Sequence, residues 1–296
     1  MVLSLVAIVY SSMNLLSDVS GLKTSSEKFY HISNLLQGKE GELTTPMMQN
    51  DKDIEFCIKA LDDENPEVRK ISAKALGQSG DLRAQEPLFG LLEDDNREVK
   101  ITAVRALERL GARNAIEPLI KQLASDKDPA FRICAIEALG NLKDKRIVEP
   151  LIKSLDDNVL EVRITAIHAL EILGNERAEE ALIMKLNKGS LAFQKYVILA
   201  LGKIGGKKTL DVLTHKLEDK NPDIRKYAAE SLGKLGDINS VDPLLKSLDD
   251  IDSEVRNAAA YSLGTLKANK AVNALLEMLM EGDSELRVTA VYSLEA

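Results

Sequence analysis

One spacing constrains this chain more than any other property. Arg69, Lys100, Arg132, Arg163, Gln194, Arg225, Arg256 and Arg287 stand 31 or 32 residues apart. Seven positions after each of these anchors comes a leucine: Leu76, Leu107, Leu139, Leu170, Leu201, Leu232, Leu263 and Leu294. Six positions after each stands only Ala or Ser. Eight copies in one register make the chain a tandem array, because self-similarity at a period of about 20–50 residues marks repeat architectures.

Each unit resolves into two helices. After the anchor, apolar residues fall at +3, +4, +7 and +10, as in Ala166, Ile167, Leu170 and Leu173. That is the stripe of an amphipathic helix. Gly80, Gly111, Gly174, Gly205 and Gly236 follow at +11, where a helix end takes a left-handed residue. A shorter stripe precedes the anchor, as in Val148, Leu151, Ile152 and Leu155, with Pro87, Pro118, Pro150 and Pro243 near helix starts. Between the two runs an acidic turn such as Asp156-Asp157-Asn158, which favours the positive end of the second helix. A lone pair of such helices cannot bury its stripe, so neighbours must stack. The spacing therefore predicts an all-α solenoid of about eight tandem two-helix repeats over residues 51–296. Aromatics are 4% of the chain and Trp is absent, which suits close helix packing.

The unit IVEPLIKSLDDNVLEVRITAIHALEILGN (147–175) resembles the short HEAT repeat of the phycobilisome-lyase type. The resemblance covers residues 51–296. It implies antiparallel helix pairs whose second helices line a concave side, and functions that range from scaffolds to chromophore-lyase subunits and a few enzymes. A lyase-like chaperone subunit acting on a chromophore protein is one function it implies.

Residues 1–50 fall outside the period. Ser26 to Gln37 reads as a helix with Ser26 as N-cap and Gly38 as its stop, and Gly41 to Asn50 reads as a linker. Together they are expected to cap the first repeat. Residues 1–17 carry no charged side chain, lack the basic start and cleavage site of a signal peptide, and are interrupted by Ser and Asn. They read as a packing helix rather than a membrane span.

The anchor Arg and the turn Asp recur together and read as a structural ladder rather than a functional track. Gln194 and the turn Asn187-Lys188-Gly189-Ser190 break it in repeat 5. Cys57 and Cys134 have no metal spacing and read as reduced, buried thiols of a cytoplasmic protein. The only histidines are His31, His168 and His215. Ile32, Ala169 and Lys216 follow them, so the paired His-Glu motifs that hold iron in deoxyhypusine hydroxylase, a HEAT-type enzyme, are missing. No catalytic constellation, cofactor site or metal site is expected.

One face of the second helix, positions +1, +2, +5 and +9, does carry a pattern. Lys70, Lys74, Arg105, Arg109, Lys195, Lys203, Lys226 and Lys234 lie there against Glu137 and Glu230, a net +6 in a chain of net charge −8, which falls to +3 when Glu108, Glu171 and Glu295 at the flanking +8 position are counted. Tyr196, Tyr227, Tyr261 and Tyr292 share it, with His168, Ile172 and Leu199 nearby. Tyrosines among cations mark protein-binding surfaces, although tyrosines also fill gaps between neighbouring helices. The expectation is a scaffold or regulatory adaptor that grips an acidic segment of a protein partner. Candidate contacts are Lys74, Arg105, Arg109, His168, Tyr196, Leu199, Lys203, Tyr227, Lys234, Tyr261 and Tyr292. The acidic balance disfavours nucleic acid and anionic membrane.

Overall fold

The computed structural model describes residues 22–37, 51–281 and 284–295. Among them are seventeen α-helices and no strand. A leading helix, α1 (Ser25–Gln37), precedes the repeats. First and second helices then alternate as α2 (Asp51–Lys59) and α3 (Pro66–Ser79), α4 (Gln85–Gly90) and α5 (Arg97–Arg109), and α6 (Ile116–Ser125) and α7 (Pro129–Leu142). Next come α8 (Val148–Ser154) with α9 (Leu160–Leu173), and α10 (Glu176–Lys185) with α11 (Leu191–Ile204). The last are α12 (Thr209–Lys216) with α13 (Pro222–Leu235), α14 (Val241–Ser247) with α15 (Ser253–Thr265), and α16 (Val272–Glu281) with α17 (Ser284–Glu295). The chain is an all-α solenoid of eight helix pairs. It divides into two compact units, residues 1–138 and 139–296.

The period follows from packing. Leucines at +7 from Leu76 to Leu263 are buried, and Leu294 is half-buried. Position +6 is held to Ala or Ser because position +8 of the preceding repeat presses on it. A Cβ added to Gly77 would lie 2.6 Å from Ala106 Cα, and one added to Gly202 would lie 2.7 Å from Ser231 Cβ. At two of the three +6 serines the hydroxyl is buried and donates across the interface: Ser231 Oγ to the Ile198 carbonyl at 3.1 Å, Ser262 Oγ to the Ala229 carbonyl at 2.9 Å, whereas Ser293 Oγ donates to the Thr289 carbonyl of its own helix. Gly80, Gly111, Gly174, Gly205 and Gly236 all take positive φ at their helix ends. In repeats 3 and 7 that place is filled by Lys143 (φ 50°) and Lys267 (φ 51°), which adopt the same left-handed turn.

The Asp–Arg ladder exists, and its rungs join neighbouring repeats. Arg69 Nε and Nη2 donate to Asp94 of the next repeat at 2.7 and 2.9 Å, while its Nη1 donates to the Asp63 carbonyl of its own turn at 2.8 Å. Arg225 does the same with Asp250 and the Asp219 carbonyl. Lys100 replaces the guanidinium in pairing with Asp126. Each turn Asp also accepts the backbone N–H two residues on, as Asp94 does from Asn96 at 2.8 Å. That N–H belongs to an Asn or Asp whose own side chain caps the second helix at Asn65, Asn96, Asn221 and Asp252, whereas in repeat 4 it belongs to Val159, which supplies no side-chain cap.

Around repeat 5 the rungs are replaced. Arg163 lies over the Phe193 ring at 5.4 Å, and Asp219 pairs with Lys216 at 2.8 Å. Glu179, buried on α10, supplies another tie by accepting from Lys208 N and Thr209 Oγ1 of the next repeat, both at 2.9 Å. Gly206 leaves room for it, since a Cβ there would lie 1.9 Å from the carboxylate.

The leading helix starts one residue before the expected Ser26. Its cap is Thr24, whose hydroxyl accepts from Glu27 N at 3.2 Å while Glu27 Oε2 accepts from Thr24 N at 3.0 Å. This reciprocal pair is a capping box, which outranks a lone serine. Lys28 takes the anchor's role and pairs with Asp63 at 2.7 Å, and Ser25 Oγ donates to the same carboxylate at 2.6 Å. Ile32, four residues after Lys28, is fully buried. Thus α1 sits against α3 as the second helix of a preceding repeat would. The stop at Gly38, the linker 41–50 and the helix expected over residues 1–17 lie outside the described residues.

Candidate functional site

Within residues 139–296, the exposed face of the second helices assembles an aromatic–cation row. The His168 ring on α9 meets Tyr196 on α11 edge-on, with centroids 5.6 Å apart and planes at 81°. Lys195 Nζ then lies between two rings, 6.0 Å from the Tyr196 centroid and 4.8 Å from that of Tyr227 on α13. Lys195 thus links Tyr196 and Tyr227, which stand one repeat apart. Both rings are half-buried, as is Leu199, whereas Tyr261 on α15 and Tyr292 on α17 are 64% and 65% exposed. The row therefore combines two tyrosines held by neighbours with two that stand free in solvent. A ring held in place loses little entropy on contact with a partner, and an ammonium over a ring face adds electrostatic attraction.

The charge of this face needs correction. Three of its eight cations are neutralised by glutamates outside the four counted positions. Lys70 is 2.8 Å from both Glu67 and Glu98, Lys226 is 2.6 Å from Glu254, and Lys203 is 2.7 Å from Glu171. Glu171 also lies 3.8 Å from His168 Nδ1. Lys203 is therefore not a free cation beside Lys234. Five basic residues on the face keep no ion-pair partner among the described residues: Lys74, Arg105 and Arg109 on α3 and α5, and Lys195 and Lys234 on α11 and α13. Lys74, Arg105 and Arg109 belong to the other compact unit. On the first-helix layer, Lys216 is buried and tied to Asp219, so it is no free surface cation.

Toward the C-terminal repeats, a cleft of about 450 Å3 opens between α13, α15 and α17, lined by Lys226, Glu230, Lys234, Asn257, Tyr261 and Thr289 among others. Asn257 has no counterpart in the sequence reading. Its signal was a carboxamide at +1, where the other repeats carry Lys, Ile or Val.

Nucleophilic chemistry has little foothold. Burial pushes the Cys57 thiol up to about 12 and the Cys134 thiol up to about 11, so neither is a thiolate near neutral pH. Burial also lowers the pKa of His31, although Asp53 nearby opposes it, and the ring packs edge-on against Phe56 at 5.2 Å. No group of three or more His, Cys, Asp or Glu among the described residues is placed to hold a metal ion. No helix among them is long and apolar enough to cross a membrane.

The model of HEAT repeats matches residues 54–126, 116–192, 179–250 and 216–295. No curated protein matches the chain in sequence. Among solved structures, the karyopherin Kap121p bound to the extreme C-terminus of the protein phosphatase Cdc14p superposes with a TM-score of 0.63 at 14% identity. The alignment covers 98% of this chain and 39% of that one, so the chain spans well under half the karyopherin's length. The Escherichia coli protein YibA gives a TM-score of 0.55 at 20% identity, covering 93% of this chain and 98% of that one. The complex of CpcE and CpcF of phycocyanin lyase from Nostoc sp. PCC7120 gives 0.45 at 20% identity, covering 87% and 97%, too loose a superposition to bear on function. These likenesses are of fold.

Proposed function

The chain belongs to the HEAT-repeat family, and we propose that it is a protein-binding scaffold that takes an acidic segment of a partner along the second-helix face of residues 139–296. The observation that carries this reading is the row His168–Tyr196–Lys195–Tyr227, continued by the exposed Tyr261. Interfaces draw their energy from a few aromatic and cationic anchors, and these are such residues in adjacent repeats. Lys195 and Lys234 give the face its unpaired positive charge, which favours carboxylates in the partner and repels a basic one. Lys74, Arg105 and Arg109 give the second-helix face of the first unit unpaired positive charge of its own. The fold is one on which a polypeptide terminus docks in Kap121p.

A random twelve-residue peptide library displayed on phage, selected on the full chain, tests this. The selected peptides should be rich in Asp and Glu, and their association should slow as salt shortens the Debye length from about 10 Å at 0.1 M to about 3 Å at 1 M. Selection of basic peptides, or binding indifferent to salt, would remove the acidic-segment reading.

A further inference from the structure

The cleft between α13, α15 and α17 contains a group that its surroundings leave unsatisfied. Asn257 lines it, and both the Oδ1 and the Nδ2 of its carboxamide are shut off from solvent without a hydrogen-bond partner. Every other repeat fills this position with Lys, Ile or Val, residues that either reach water or need no partner. A buried carboxamide offers one acceptor and two donor hydrogens, and leaving them unmade is costly. Asn257 is part-exposed as a residue, and meeting a ligand in the cleft requires its carboxamide to turn from the closed position about its side-chain bonds.

Water can meet both groups there; among the charged and main-chain groups of a partner segment the choice is narrower. A carboxylate meets only the NH2, and an ammonium meets only the carbonyl. A peptide group presents an N–H and a C=O and can pair with both. The remaining walls agree with a main chain rather than an acidic side chain at this point. Glu230, Glu254 and Glu285 outnumber Lys226 and Lys234, and Lys226 is already held by Glu254. The exposed Tyr261 ring stands at the rim, and the volume is within the range of about 300–1,000 Å3 typical of ligand clefts.

We infer that Asn257 is a main-chain anchor: its carboxamide pairs with one peptide group of an extended partner segment lying in this cleft. The inference rests on the docking reading above and fixes the segment's polarity. Its acidic residues lie toward Lys195, and its uncharged or basic end lies over Glu230 and Glu254.

The test uses the full chain and the substitution Asn257→Leu, which keeps the size and removes the polar groups. Without any ligand, the unfolding midpoint should rise by about 2–4 °C, because an unsatisfied group has been replaced by an apolar one. A lower midpoint would show that the carboxamide is already satisfied, and would overturn the anchor. Binding is then read by fluorescence anisotropy with the strongest fluorescein-labelled peptide from the phage selection. Asn257→Leu should weaken it at least tenfold. N-methylating the peptide amides one at a time should reveal one position that costs a similar factor on the natural protein and nothing further on Asn257→Leu. If Asn257→Leu binds normally while Tyr196→Ala with Tyr227→Ala does not, docking stands and the anchor falls. If neither variant loses affinity, or the library yields no binder, the docking reading falls and takes the anchor with it.

Discussion

Arg225 and Asp250 lie in consecutive repeats, and the guanidinium meets the carboxylate through two N–H donors, each at 2.7 Å. The third donor of the same group holds the Asp219 carbonyl of its own turn at 3.0 Å. One side chain thus fixes a turn and couples two repeats, with both partners largely buried. In a solenoid, where each unit touches only its neighbours, such a coupling decides how cooperatively the array unfolds.

Arg225→Ala should cost about 1.5–3 kcal/mol, the range for hydrogen bonds to charged groups, and should broaden the denaturation transition. The pair also sets an acid limit. Burial works to raise the pKa of Asp250, but hydrogen bonds from Arg225 and the Asp252 N–H hold it below its ordinary 3.8. Asp63, Asp94 and Asp219 shift the same way, against the same burial, through Lys28, Arg69 and Lys216. A carboxylate depressed by folding contributes stability above its unfolded pKa and loses it as pH falls through the folded one. Urea titrations should therefore show level stability from pH 7 to about 5 and a steep fall below pH 4. A stability unchanged at pH 3 would contradict the ladder.

Gly233 should resist even alanine. Its Cβ would lie 2.6 Å from Ser262 Oγ and 2.9 Å from Ser262 Cα. Helix propensity alone favours alanine by about 1 kcal/mol, whereas overpacking costs about 1–3 kcal/mol. Gly233→Ala should therefore be destabilising, and a more stable variant would show that α13 and α15 approach less closely.

Lys267 should gain from the opposite change. It holds φ at 51°, where a side chain costs about 1–2 kcal/mol and glycine costs nothing sterically. After the larger backbone entropy of glycine is subtracted, Lys267→Gly should raise stability by about 0.5–1 kcal/mol in chemical denaturation.

Leu170 is fully buried at the +7 position of repeat 4. Leu170→Ala should cost about 2–5 kcal/mol through lost burial and a residual cavity. A negligible loss would mean that the repeat core lies elsewhere.

The period, the helix pairs and their C-terminal glycines were legible because each repeat solves the same packing problem with the same residues. Leu at +7 and Gly at +11 each answer a constraint within the unit, and Ala or Ser at +6 recurs because the same close contact with the preceding repeat recurs. Other relations cross from one repeat to the next, and spacing alone cannot show them. An Asp six places before its own anchor looks like that anchor's partner, yet the carboxylate of Asp250 belongs to Arg225 of the repeat before. The same blindness inflated the charge of the second-helix face, since Glu98 and Glu254 reach it from adjacent repeats, whereas Glu171 was visible at the flanking +8 position. The leading helix was legible to within one residue, but its likeness to the second helix of a repeat was not, for a related reason. Lys28 and Ile32 repeat the anchor pattern, but outside the 31-residue register. Asn257 was visible only as a departure from its column, and burial was needed to give that departure a meaning.

The central claim, that partners dock on the second-helix face, is tested most directly by comparing variants of its aromatic row with variants of the first-helix layer. The double change Tyr196→Ala and Tyr227→Ala removes both rings that flank Lys195. His215→Ala with Lys246→Ala alters exposed residues of α12 and α14 instead. With the fluorescein-labelled peptide from the phage selection, the tyrosine pair should lose at least about 2 kcal/mol of affinity, roughly thirtyfold, as hot-spot residues do. The first-layer pair should bind as the natural chain does. Equal affinity for all three proteins, with each folded by circular dichroism, would contradict the account and place binding away from this face.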